Sequence, residues 1–273
     1  MKLNFHLTIL GTVALLTPIC LTSVVNAEIE ILQREVIAQN IRFQTPEIRE
    51  QGNRTRTFSI IKEGTRSRCE FKDAPTALIP ETNIGLTLAE YPKFFVYFPT
   101  EDGECGYSYQ PAEFELFDEA GKTVYITELK LPDARSIIRI NLPDDGSITP
   151  LAVGKKYQWR VLGVLDIWDR SSDLEISSGW IKRIEITPTL LQQLQTTTPD
   201  NHPQVYAQAG IWHETLDSLV TLRQSDPNNS TFLIQWPEIL KSVGLETVAD
   251  APLLTDSNQP TETKQNQDSS DLR

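Results

Sequence analysis

Five consecutive large apolar residues, Phe94, Phe95, Val96, Tyr97 and Phe98, stand between Pro92 and Pro99. A strand that is apolar on both faces must be covered on both, which demands a layered core around it. From about residue 75 to 187 the chain is cut into short segments that meet this demand. Residues 112–117 and 123–131 flank a turn at 118–122, where Gly121 can supply the positive φ of a hairpin. Ile138, Ile140 and Leu142 alternate with Arg139 and Asn141, and Tyr157, Trp159 and Val161 alternate with Gln158 and Arg160. A period of two gives each of these strands one buried and one wet face. Residues 173–176 and 180–186 complete the set. About seven short strands, with no amphipathic helix between them, fit an immunoglobulin-like β-sandwich, and a small barrel would leave a similar trace.

At Thr187 the period changes. Thr187 is placed to cap a helix with Pro188 in its first turn, and Leu190, Leu191 and Leu194 form its apolar face. Further helices are expected at 205–209, 212–223 and 237–243, the last opened by Pro237. Gly210 and Gly244, each preceded by Tyr206 or Leu240 at the same offset, lie about 34 residues apart, so the helical hairpin resembles a partial tetratricopeptide repeat. One unit and a truncated second are too few to stack alone, so these helices should cap the sandwich. The expected class is therefore mainly β with a C-terminal α region. The chain divides into a signal peptide at 1–27, a mobile leader at 28–75 with one strand at 58–61, a sandwich at 76–187, a helical region at 188–250 and a disordered tail at 251–273.

The leader assignment rests on Lys2, on the absence of further charge until Glu28, on the apolar stretch at 7–16, and on Val25, Asn26 and Ala27 before the expected cut. Pro18 and the threonines Thr8, Thr12, Thr17 and Thr22 weigh against an uncleaved anchor, so no stable membrane span is expected after cleavage. The location expected is periplasmic or secreted. A net charge of −12 argues against nucleic acid as partner, because phosphate binding needs a concentrated basic face. In an exported chain Cys69 and Cys105 are expected to form a disulfide, worth about 4 kcal/mol by loop closure.

Candidates for chemistry are few. There is no GxSxG elbow, phosphate loop or GxGxxG turn, and no cofactor is expected. His213 and Glu214 begin like a zincin helix, but Asp217 stands where the second histidine belongs, and His213 reads as a helix-surface residue. Glu113 and Glu115 share a strand face, which is either a solvated face or the carboxylate pair of a hydrolase. Asp166, Asp169 and Asp173 form a weak calcium set without the DxDxDG pattern, so no metal is assigned. Trp168, in the same stretch, could stack on a sugar. Trp212 and Trp236 are partner anchors if exposed and core residues if not.

Gly64, Thr65, Arg66 and Cys69, then residues 76–81, Gly85, Leu86, Thr87, Glu90, Pro92 and the aromatic strand up to Pro99, form an ordered series. It continues through Tyr157, Gln158, Trp159, Arg170, Ser171, Gly179, Trp180, Ile181 and residues 206–245. This combination, over about residues 64 to 250, resembles an uncharacterised secreted family common in cyanobacteria, the domain of unknown function nine-two-eight. The resemblance implies an exported envelope protein with no assigned activity. It also implies a cysteine near the position of Leu165, which this chain lacks, and so a different usual partner for Cys69. The function expected is a non-catalytic binding or scaffold protein of the cell envelope, acting on an unknown protein or an envelope polysaccharide. A carbohydrate-binding module is the alternative, and a carboxylate-dependent hydrolase the third.

Overall fold

A computed structural model describes residues 41–51, 59–61, 68–70, 75–99, 112–132, 134–163 and 173–254. The strands in chain order are β1 (Ser59–Ile61), β2 (Arg68–Glu70), β3 (Thr76–Ala77), β4 (Ile84–Thr87), β5 (Lys93–Phe98), β6 (Ala112–Asp118), β7 (Thr123–Leu129), β8 (Ser136–Asn141), β9 (Lys156–Gly163) and β10 (Leu174–Arg183). Helices α1 (Pro188–Thr196), α2 (His202–Gln208), α3 (Trp212–Ser225) and α4 (Ser230–Lys241) follow, and β11 (Leu253–Leu254) closes the described chain. One sheet has the order β4-β10-β9-β6-β7, a second the order β11-β8-β5-β3, and β1 pairs with β2. Within the two larger sheets every pairing is antiparallel except β4 with β10 and β11 with β8.

The register of β5 explains its apolar run. Phe94 pairs with Ile140 and Val96 with Ile138, so these four share one face, while Phe95 pairs with Arg139 and Tyr97 with Ile137 on the other. On the first face the Phe94 ring lies 4.9 Å from that of Phe114 and 5.3 Å from that of Trp159, which joins the two sheets. On the second face Arg139 and Lys93 both reach Asp217 of α3, while His213 of the same helix meets the Phe94 ring of the first face at 5.3 Å. Phe95, Tyr97 and Ile137 are buried in one core cluster with Leu216, Leu219 and Val220 of α3 and with Phe232, Trp236 and Ile239 of α4. The two sheets and the helices thus share one core, and each large apolar side chain so buried contributes about 1.5–3 kcal/mol.

Local signals account for most element ends. Thr187 Oγ1 accepts the amide of Leu190 and caps α1, and Gly121, at φ 78°, makes the turn from β6 to β7. Four expectations differ. The strands expected at 173–176 and 180–186 are one strand, β10, with a bulge between Glu175 and Ser177. Its small residues are no turn: Gly179 pairs with Trp159, and a Cβ there would fall 2.4 Å from Ile79 Cδ1 and 3.3 Å from the indole. Helix α4 begins at Ser230, where Asn229 Oδ1 accepts the Thr231 amide, and not at Pro237. Pro237 is tolerated inside because the bond it cannot make would reach Leu233, on the exposed side of the helix. Residues 251–254, read as the start of a disordered tail, include β11, which pairs with β8. Within the leader read as mobile, residues 41–51 run as a strap across helices and sheet, with Ile41 and Phe43 buried.

Gly210 and Gly244 each follow a helix end, at φ 72° and 69°, the left-handed conformation that suits glycine. The spacing that resembled a repeat therefore marks two helix stops of one kind. No helix among the described residues is long and apolar enough to cross a membrane.

Candidate functional site

The first turn of α3 brings together two buried ionisable groups whose pKa values are shifted, His213 and Glu214. Its apolar stripe runs through Trp212, Leu216 and Leu219, and also through His213 and Val220, so the helix buries His213. The expectation of a helix-surface histidine is therefore corrected: only 4% of His213 is exposed. Its Nδ1 lies 2.9 Å from the carbonyl oxygen of Lys93, and because a carbonyl only accepts, Nδ1 carries the proton. The other ring nitrogen faces β4, where a Cβ on Gly85 would fall 2.5 Å from Nε2. No side chain fits between ring and strand, and a second proton on Nε2 has no acceptor among the described residues. Burial lowers the imidazole pKa to about 4, against smaller upward pulls from the Lys93 carbonyl and Asp217.

Glu214, the next residue, is divided in its bonding. Its Oε1 accepts the Thr87 hydroxyl at 2.7 Å, the Leu88 amide at 2.8 Å and the Ala89 amide at 2.9 Å. Its Oε2 is buried with no hydrogen-bond partner among the described residues. Burial raises its pKa and the three donors oppose that rise. One turn on, Asp217 Oδ2 pairs with Lys93 Nζ at 2.8 Å, and its Oδ1 lies 3.6 Å from Arg139 Nη1. His213, Glu214 and Asp217 line, with Tyr91 and Pro92, a cavity of about 50 Å³. That is room for a water molecule or two and not for a substrate.

Chemically this cluster is a bolt. Each polar atom it uses holds α3 to the strands beneath: His213 to β5, Glu214 to the end of β4, and Asp217 to β5 and β8. The zincin-like start does not present its histidine to a metal, since Gly85 closes Nε2 and Nδ1 is held by the Lys93 carbonyl. Among the described residues no group of three or more His, Cys, Asp or Glu could hold a metal ion.

The other candidates fall as follows. Trp212 and Trp236 are buried, so of their two readings the core one applies. Their ring N–H groups are satisfied inside, Trp212 donating to Leu78 O at 2.7 Å and Trp236 to Ala249 O at 3.1 Å. Glu115, expected on a solvated face, is buried and paired with Arg160, whose guanidinium lies 5.0 Å from the centre of the Phe117 ring. Asp173 stands half-buried just before β10. Asp166, Trp168, Asp169 and Cys105 lie outside the described residues, as do the side chain of Cys69 and the signal segment 1–27.

A second region is defined by the ends of strands. The register sets Leu129 beside Ala112, Ala112 beside Gly163, and Gly163 beside Leu174, so four strands end together at one side of the five-stranded sheet. The opposite end of β10 is tied down by Arg183, which donates to the carbonyls of Leu151 and Leu88 and pairs with Glu90.

Comparison with known proteins adds a family and no activity. No curated protein matches this chain. The sequence model of a family described as Domain of Unknown Function (DUF928) matches residues 55–253. That span runs through β1 to β10 and all four helices, and the chain belongs to the DUF928 family.

Proposed function

We propose that this is an exported, non-catalytic binding and scaffold protein of the cell envelope, periplasmic or secreted, whose sandwich presents its connections to a partner. The observation that carries this reading is the alignment of Leu129, Ala112, Gly163 and Leu174 at one end of the five-stranded sheet. The connections 99–111 and 164–173 are both rooted there. Binding residues are disproportionately carried on connections that a rigid scaffold positions. The strand order supports an immunoglobulin-like reading: β3, β5 and β8 take the places of A, B and E, while β6, β9 and β10 take those of C, F and G. In that architecture the B–C and F–G loops, counterparts of these two connections, gather at the recognition end. Export rests on Lys2 and the apolar stretch at 7–16, and it supports pairing of Cys69 with Cys105.

Trp168, within the second connection, favours a second reading in which the partner is an envelope polysaccharide. The test is retention of residues 28–273 on isolated envelope material. Replacing 164–172 by a glycine-serine segment of equal length is expected to abolish retention, and unchanged retention would contradict the proposal. Trp168→Ala should weaken retention on purified polysaccharide columns if the partner is a sugar, and unchanged retention there removes that second reading.

A further inference from the structure

Residues 41–51 are bound to the rest of the protein in the manner of a captured peptide. Ile41 and Phe43 are buried and Arg42 between them is exposed, the alternation of an extended segment with two anchors on one side. Phe43 meets Trp212 edge-on, with ring centroids 4.8 Å apart. Main-chain bonds hold the same stretch, since the Phe43 amide donates to Ser242 Oγ at 3.1 Å and the Gln44 amide to Ala207 O at 2.9 Å. Gly210 forms the floor, where a Cβ would fall 2.9 Å from Gln44 O and 3.1 Å from Pro46 Cγ. Further along, the Glu50 amide donates to Thr82 O at 2.9 Å. Gln51 O then accepts Asn83 Nδ2 at 3.1 Å and Trp180 Nε1 at 2.9 Å.

The match to the DUF928 family begins at residue 55, so the strap lies before it, while Thr82, Asn83, Trp180, Ala207, Gly210, Trp212 and Ser242 all lie within it. The family domain therefore supplies every one of these contacts, and the strap is an upstream segment laid into them. Backbone bonds that give affinity, joined to pockets for alternate side chains that give specificity, are the mark of extended-peptide recognition.

We infer that the surface made by the end of α2, the start of α3 and the end of α4 is a peptide-binding groove, which this chain fills with its own residues 41–51. Its ligand is an extended peptide with two large apolar anchors separated by one residue and a proline three residues after the second, the pattern of Ile41, Phe43 and Pro46. The strap is a tethered occupant, and its high effective concentration keeps competing peptides out of the intact chain. This inference stands apart from the recognition end proposed above, which its readout does not touch.

The test uses the full chain with a protease site introduced within residues 52–58 and cut after folding. The probe is a labelled peptide of residues 41–51. The cut chain is expected to exchange its strap for the probe with saturable binding, the uncut chain to exclude it, and a probe carrying Phe43→Ala to bind at least tenfold more weakly. A cut strap that excess probe never displaces, a cut chain that unfolds, or a Phe43→Ala probe that binds as well as the parent would each overturn the inference.

Discussion

Among the described residues one oxygen of Glu214 takes three donors and the other takes none, and that asymmetry shows what the residue is for. The donors are the hydroxyl of Thr87 and the amides of Leu88 and Ala89, which have left β4 and have no strand partner of their own. Removing the carboxylate leaves the Thr87 hydroxyl and the Leu88 amide without it, while the Ala89 amide keeps Thr87 Oγ1 at 3.0 Å, so Glu214→Ala is expected to cost about 2 kcal/mol in urea unfolding, and Glu214→Gln, which keeps an acceptor, should cost clearly less. His213 adds a pH dependence of definite sign. Its pKa is lowered to about 4 in the fold, so its contribution is present above the unfolded value near 6.5 and is lost as pH falls toward 4. Glu214 works in the opposite sense: its raised pKa favours the fold in acid, and that contribution fades as pH rises. Comparing wild type with His213→Gln from pH 7 to pH 4 isolates the histidine. Wild type should lose about 3 kcal/mol relative to the variant over that range, and parallel curves would mean that His213 is not held neutral.

At the scale of elements, the sequence was legible where one face decides the pattern and illegible where a distant neighbour does. The alternation in 138–142 and 157–161 and the Gly121 turn led directly to β8, β9 and the β6–β7 hairpin. Ser177, Ser178 and Gly179 read as a break because nothing local shows that Trp159 of the neighbouring strand fills the space over Gly179. Strand β4 was missed for a related reason, since its partner β10 is nearly a hundred residues away in sequence and runs parallel to it. His213 was misplaced although a signal existed: with Leu216 and Val220 it falls on the i, i+3, i+7 stripe of a buried helix face. The strap was lost among polar neighbours, because two anchors are too few to show a period. Pro237 carries its own prediction. Pro237→Ala restores a backbone N–H that can reach Leu233 O, and it should raise the stability of α4 by about 1 kcal/mol, read as a higher urea midpoint.

For the whole molecule, the claim on which the rest stands is that the helices and the two sheets form a single body. The groups best placed to do chemistry, His213, Glu214, Asp217 and Lys93, lie at the joint between the layers and are bonded across it. The core cluster runs without a break from Phe114 and Trp159 through Phe94 and Tyr97 to Leu219 and Trp236. A body joined in this way should unfold in one step. The most direct test is equilibrium urea unfolding followed at the same time by helix circular dichroism and by hydrogen-exchange protection of the amides of β5 and β9. The account predicts superimposable transitions with one midpoint. A helical signal that melts ahead of the sheet protection, leaving folded sheets behind, would contradict it.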